Sequence, residues 1–146
     1  MRRVKNGFSV IEVLISLFIL SLLMVPTTAY FLKYQRGVLL ERAANEIVDI
    51  ANLAREYAIN ERKEFYVIFN ERKFVVLREN RYPVDKEYNL PEHIIIKDRS
   101  AGFSPLIFNK DGTARTGGYL ILRDTAGGKE IKIVLHNLTG RCLIEK

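Results

Sequence analysis

Between Val13 and Leu32 the chain runs for 20 residues without a charge. A helix of that length spans about 30 Å at 1.5 Å per residue, the thickness of the hydrocarbon layer of a bilayer. Leucine and isoleucine dominate the run, which favours insertion into lipid. Arg2, Arg3 and Lys5 precede it. Cations in that position stay on the cytoplasmic side and leave the rest of the chain outside.

Glu12 stands at the head of this run. A carboxylate costs roughly 2.5–3.5 kcal/mol at the centre of an inserted helix and less toward its end. Three readings compete. One is a secretory signal peptide, with the small residues Thr27 and Ala29 before a cut at Tyr30. Another is a plain membrane anchor. Both leave Glu12 without a partner. The third is a helix whose glutamate meets a positive charge from elsewhere. Pro26 inside the run removes one helical hydrogen bond, so a kink or local melting is expected there, and again at Gly37.

The segment Gly7-Phe8-Ser9-Val10-Ile11-Glu12 resembles the processing motif of the type IV pilin and pseudopilin family: a glycine, a hydrophobic residue, three more residues, then glutamate. The resemblance implies that prepilin peptidase cuts between Gly7 and Phe8 on the cytoplasmic side and that the new amino group of Phe8 is N-methylated. Glu12 would then lie four residues from a positive terminus, and the resemblance implies that it meets the terminus of a neighbouring subunit. Opposite charges attract strongly at low dielectric, and an unpaired one is costly. Such a pair selects which subunits join and fixes their axial register.

Lys33 to about Arg62 reads as the same helix turned amphipathic. Leu40, Ala43, Ile47, Ile50, Ala54 and Tyr57 recur at spacings of three and four, with Glu41, Arg42, Asp49, Arg55 and Glu56 off that stripe. The whole helix, from Phe8 to about Asn60, would be roughly 80 Å long. From Glu64 the pattern changes to strands. Residues 65–69 and 74–77 flank a turn and predict a hairpin. Residues 78–92, with Pro83 and Pro91, read as a loop. Further strands are expected at 94–96, 106–108, 119–123, 131–135 and 141–144, with turns at Asp111-Gly112, Gly117-Gly118 and Gly127-Gly128.

This gives an α+β, pilin-like fold: a long N-terminal helix packed on a C-terminal antiparallel β-sheet domain. Its parts are a basic leader (1–7), a transmembrane or filament-core helix (8–32), an amphipathic helix entering the head (33–62) and a β-rich domain (63–146). The second half also resembles the minor pseudopilins of the GspH/FimT type and the related competence pseudopilins. Phe108-Asn109-Lys110-Asp111-Gly112, then Gly117-Gly118, then Leu138-Thr139-Gly140-Arg141 follow their C-terminal layout.

The formal charge is +6, and the three leader cations account for half of it. An excess of +3 on the remainder is an ordinary solvated surface. Arg115, Arg123, Lys129, Lys132 and Arg141 fall in the last third and are candidate DNA contacts, since phosphate binding needs only a basic face. Asp111, Asp124 and Glu130 are interleaved with them and dilute the field. The lone Cys142 permits no intrachain disulfide and reads as a small core residue. His93 and His136, in separate strands and with no second cysteine, do not make a zinc site. Asp85, Glu87 and Glu92 are too sparse for a calcium loop. No spacing favours a nucleophile with its base, so no enzyme, metal or cofactor is expected.

The resemblance thus implies a structural subunit of a type IV pilus-like or type II secretion-like filament. It starts as a single-pass protein of the bacterial cytoplasmic membrane, N-terminus cytoplasmic, and moves into an extracytoplasmic filament. The implied partners are prepilin peptidase, other pilins or pseudopilins, membrane lipid before assembly, and, indirectly, an assembly platform and motor ATPase. The alternative is a DNA-binding pseudopilin of a competence uptake filament. A secreted β-domain behind an ordinary signal peptide is the remaining option.

Overall fold

A computed structural model of the chain describes residues 9–70, 72–84 and 87–145, with residues 25–29 described in backbone only. Helix α1 runs from Val10 to Glu61. The Ser9 carbonyl starts it by accepting the N–H groups of Glu12 and Val13 at 3.0 and 3.2 Å. The helix ends where Arg62 turns left-handed at φ 52°. Positions 26 and 37 stay helical, so the local melting expected there is absent. A proline removes one N–H donor, and the intact turns on either side hold the helix through it.

The described chain divides into two compact units after Gln35. In the first unit every side chain from Val10 to Met24 is exposed. Two polar side chains there turn back onto the helix. Ser16 Oγ donates to the Glu12 carbonyl and Ser21 Oγ to the Phe18 carbonyl, both at 2.7 Å. Among the described residues no helix is long and apolar enough to cross a membrane. The uncharged run of the sequence extends through 25–29, whose side chains lie outside that description.

The second unit begins at Arg36 and holds one continuous core. Leu40, Ala43, Ile47, Ile50 and Ala54 of α1 are buried, as their spacing predicts. Ala44, Ala51 and Ala58 are buried too, which widens the seam beyond the predicted positions. Its alanines bring the helix backbone close to the strands. Tyr57 is half-buried and stacks on Phe65 with ring centroids 5.7 Å apart.

The strands of the antiparallel β-sheet domain form two four-stranded sheets. The first has the order β3-β2-β1-β5. It is built from β1 (Phe65–Asn70), β2 (Lys73–Arg78), β3 (Tyr88–Asn89) and β5 (Leu106–Phe108). The second has the order β4-β6-β7-β8. It comprises β4 (Ile94–Arg99), β6 (Gly118–Asp124), β7 (Glu130–Leu135) and β8 (Cys142–Glu145). The split follows the path of the chain. After β4 the chain leaves the second sheet through a short 3-10 turn, Ala101–Phe103, and pairs β5 with β1, Phe65 facing Phe108.

Alternation decides which residues meet the core. Phe65, Val67 and Phe69 of β1 point inward, as do Leu120 and Leu122 of β6, Ile133 and Leu135 of β7, and Cys142. The stretch 78–92 is not wholly a loop, since Tyr88 and Asn89 pair with Phe74 and Lys73. The Tyr88 ring stacks on Phe74 at 5.3 Å, which ties down this two-residue strand. Gly117-Gly118 serves close packing rather than a turn. A Cβ on Gly118 would strike Ser100 Oγ.

Candidate functional site: an apolar helix with one carboxylate and a charged sheet face

Gly7 and Phe8, the expected cleavage pair, lie outside the described residues. Glu12 sits in the first turn of α1, near the helix N-terminus, where backbone N–H groups favour a negative charge. It is the only ionisable side chain from Val10 to Met24 and is exposed. Its carboxylate takes no hydrogen bond or ion pair among the described residues. The helix therefore offers one bare anion on an otherwise apolar surface.

The five candidate DNA-binding cations are scattered and mostly engaged. Arg115, between β5 and β6, reaches Glu64 at 2.9 Å. Arg123 on β6 and Glu130 on β7 are cross-strand neighbours, 3.7 Å apart. Lys97 also holds Glu130, at 2.8 Å. Lys132 reaches Glu145 at 2.6 Å and lies 5.8 Å from the Tyr119 ring centre. Lys129 and Arg141 make no ion pair among the described residues. Arg123 and Lys132 share the outer face of the second sheet, with Glu130 and Glu145 set between and beside them. The face is charged but mixed in sign.

Sequence reasoning missed a polar cluster at the start of β1. Tyr66 Oη donates to Glu64 Oε2 at 2.7 Å while Arg115 donates to Oε1 at 2.9 Å. The Tyr66 hydrogen bond, aided by the Arg115 charge, holds the Glu64 carboxyl below its ordinary value, against a smaller upward push from burial. The same hydrogen bond pushes the Tyr66 phenol up. Only the spacing 64/66 hinted at it, because Arg115 arrives from 51 residues away.

The other singled-out residues do not form a site. Cys142 is fully buried, and desolvation pushes its thiol up to about 12. Its backbone N–H donates to Asn52 Oδ1 of α1 at 3.4 Å. His93 and His136 are exposed and lie just outside β4 and β7, not within strands. Asp85 lies outside the described residues. Among the described residues no cluster of histidine, cysteine, aspartate and glutamate could hold a metal ion.

Residues 2–28 match the prokaryotic N-terminal methylation motif. That motif opens the chain that goes on as helix α1 and the antiparallel sheets. The fold is similar to the crystal structure of the type IV minor pilin FimU of Pseudomonas aeruginosa strain PAO1, with a TM-score of 0.62. The match covers 77% of this chain and 92% of that one at 15% identity, so it speaks for the fold. No curated protein matches the chain in sequence.

Proposed function

We propose that this chain is a minor pilin, a structural subunit of a type IV pilus-like or type II secretion-like filament. In this reading prepilin peptidase cuts between Gly7 and Phe8 and the new terminus is N-methylated. Residues 8–32 hold the subunit in the cytoplasmic membrane, head outside, until it joins other pilins. An assembly platform and motor ATPase would drive that step. One observation supports the reading above the rest: α1 leaves its apolar residues 10–24 uncovered, with Glu12 as their single charge, while the same helix anchors a folded head. Head-to-tail packing of such helices gives an open filament rather than a closed ring.

N-terminal sequencing and mass measurement of the mature protein test it. A start at methylated Phe8 is expected. A start at Tyr30 would mean a signal peptide and end the pilin reading.

DNA capture in a competence filament draws less support. Three of the five cations it would use are already held by carboxylates. A salt-dependent DNA shift, lost on Arg115→Ala with Arg141→Ala, would revive it.

A further inference from the structure

We propose that the turn 78–82 of one head docks into an acid-lined cleft on the head of a second copy of this chain, with Arg81 and Tyr82 as its anchors. The cleft, of about 580 Å³, opens between α1 and the ends of β7 and β8. Leu40, Ile131 and Ile144 supply its apolar walls, and Glu41, Glu130 and Glu145 its carboxylates. Lys129 lines it too, laid against α1 where a Cβ on Gly37 would lie 3.3 Å from its Nζ. Glu130 and Glu145 already hold Lys97 and Lys132, at 2.8 and 2.6 Å. Glu41 is exposed and makes no ion pair among the described residues. Apolar walls beside a spare carboxylate suit an aromatic ring with a cation next to it.

The turn after β2 carries that pair on a fixed frame. The Arg81 N–H donates to the Arg78 carbonyl at 2.7 Å, and the Arg78 N–H to the Tyr82 carbonyl at 3.0 Å. Leu77 bridges to Pro83, and the Val84 N–H donates to the Val76 carbonyl at 3.0 Å, so the turn stands on a ladder that continues β2. Arg78 ties it to Glu61, the last residue of α1, at 2.8 Å. Arg81 is left-handed at φ 59°, a conformation easier for glycine, yet the position carries a guanidinium. That side chain is exposed and makes no ion pair among the described residues. Tyr82 beside it is 70% exposed. Glu79 of the same turn lies near enough to Tyr66 to help push its phenol up. Tyrosine and arginine are the residue types that most often anchor protein interfaces.

Position along α1 makes the partner a second copy. The turn is tied to Glu61 and the cleft lies at Glu41, about 30 Å apart along the helix axis. Both belong to the second unit, toward opposite ends of one folded head, so a single chain cannot close them on itself. Each copy offers a turn at one end and a cleft at the other. Arg81 of one copy then reaches Glu41 of the next, while Tyr82 lies on Leu40, Ile131 and Ile144. The two surfaces differ, so the contact is heterologous, and it repeats head to tail as an open row. It uses the folded head alone and does not depend on the membrane reading.

The test uses the full chain in detergent micelles, with the photo-cross-linker p-benzoylphenylalanine at position 82. Irradiation should join position 82 of one chain to the cleft of another, within 37–45, 129–131 or 144–145, as mapped by mass spectrometry. Arg81→Glu should lower the yield about tenfold by setting like charges together, and Glu41→Arg in the same probed chain should do likewise. Mixing probed Arg81→Glu with unprobed Glu41→Arg should restore it, because the swapped charges oppose again. Restoration also shows both variants to be folded. Cross-links that land elsewhere, or none in the otherwise wild-type chain, would overturn the proposal. So would a yield that ignores the swap, or one that stays low in the mixture. All of these outcomes leave the pilin reading to its own test at the mature N-terminus.

Discussion

Residues 10–24 of α1 are rich in leucine, isoleucine and phenylalanine and bury none of them, whereas residues 40–58 of the same helix bury an alanine-rich seam almost completely. Hydropathy alone would assign them the other way round. The difference lies in shape. Alanine lets a helix backbone approach a strand, and Leu40 and Ile47 fill the few deep positions between. Bulky side chains all round a helix need a surrounding medium or several neighbours, as in a core or a membrane. The first stretch is thus shaped for partners outside the chain, and the second for the strands of its own head.

Removing Glu12 should break the first half of that comparison most severely. In Glu12→Ala the helix keeps its apolar surface but loses its one charge. Cleavage and membrane insertion should proceed normally, and incorporation into the filament should fall to near nothing. The expected cause is a neighbour's amino terminus left buried without its counter-ion, a penalty of several kcal/mol. Co-purification of Glu12→Ala with filaments at wild-type levels would remove the pairing argument.

Truncation should separate the two halves next. Ile47→Ala takes a fully buried side chain from the seam and should cost about 2–5 kcal/mol of head stability. Leu17→Ala, in the exposed stretch, should leave the unfolding midpoint of the head where it was. Denaturant titration of both variants in micelles checks this. Equal losses would remove the difference between the two stretches.

Cys142 probes the strand side of the seam. Its fully buried thiol, pushed up to about 12 by desolvation, should resist thiol reagents until the head unfolds. Cys142→Ser puts a hydroxyl in the same space and should cost about 1–3 kcal/mol unless it finds an acceptor. Rapid labelling of the native protein would mean that α1 and β8 part readily, and the seam would no longer count as closed.

Much of this was legible in the residues, and what was not has a common cause. Period 3.6 gave the α1 seam and period 2 gave most strands, because each local pattern records which side faces the core. Tyr88 and Asn89 escaped because two residues between Pro83 and Pro91 carry no period. The division into two sheets depends on β5 reaching β1, a pairing across about forty residues that no local pattern encodes. The candidate site was legible to the same degree. Glu12 announced itself as a charge at the head of an apolar run. The loss of a basic face came from cross-strand contacts such as Arg123 with Glu130, which register alone creates. Gly117-Gly118 looked like a turn because close approach and tight turning both call for glycine.

The smallest expected effect lies where α1 hands over to the sheets. Glu64 follows the helix end by three residues, and Tyr66 and Arg115 fix its carboxylate. Its carboxyl sits below the ordinary 4.5, so the stability it contributes is present above pH 4.5 and fades as pH falls through the lower folded value. The Tyr66 phenol sits above the ordinary 10.0, so its share is present below pH 10.0 and fades as pH rises through the higher folded value. Between those limits the hydrogen bond should contribute a constant amount, about 1 kcal/mol or less because both groups are partly in water. Tyr66→Phe should therefore lower stability evenly across the neutral range, with the gap to wild type closing at the acid end. The Glu64 titration midpoint, followed by carboxyl NMR, should move up, and only part of the way, since Arg115 stays in place. An unmoved midpoint would assign the depression to Arg115 alone and leave Tyr66 as packing against the end of the helix.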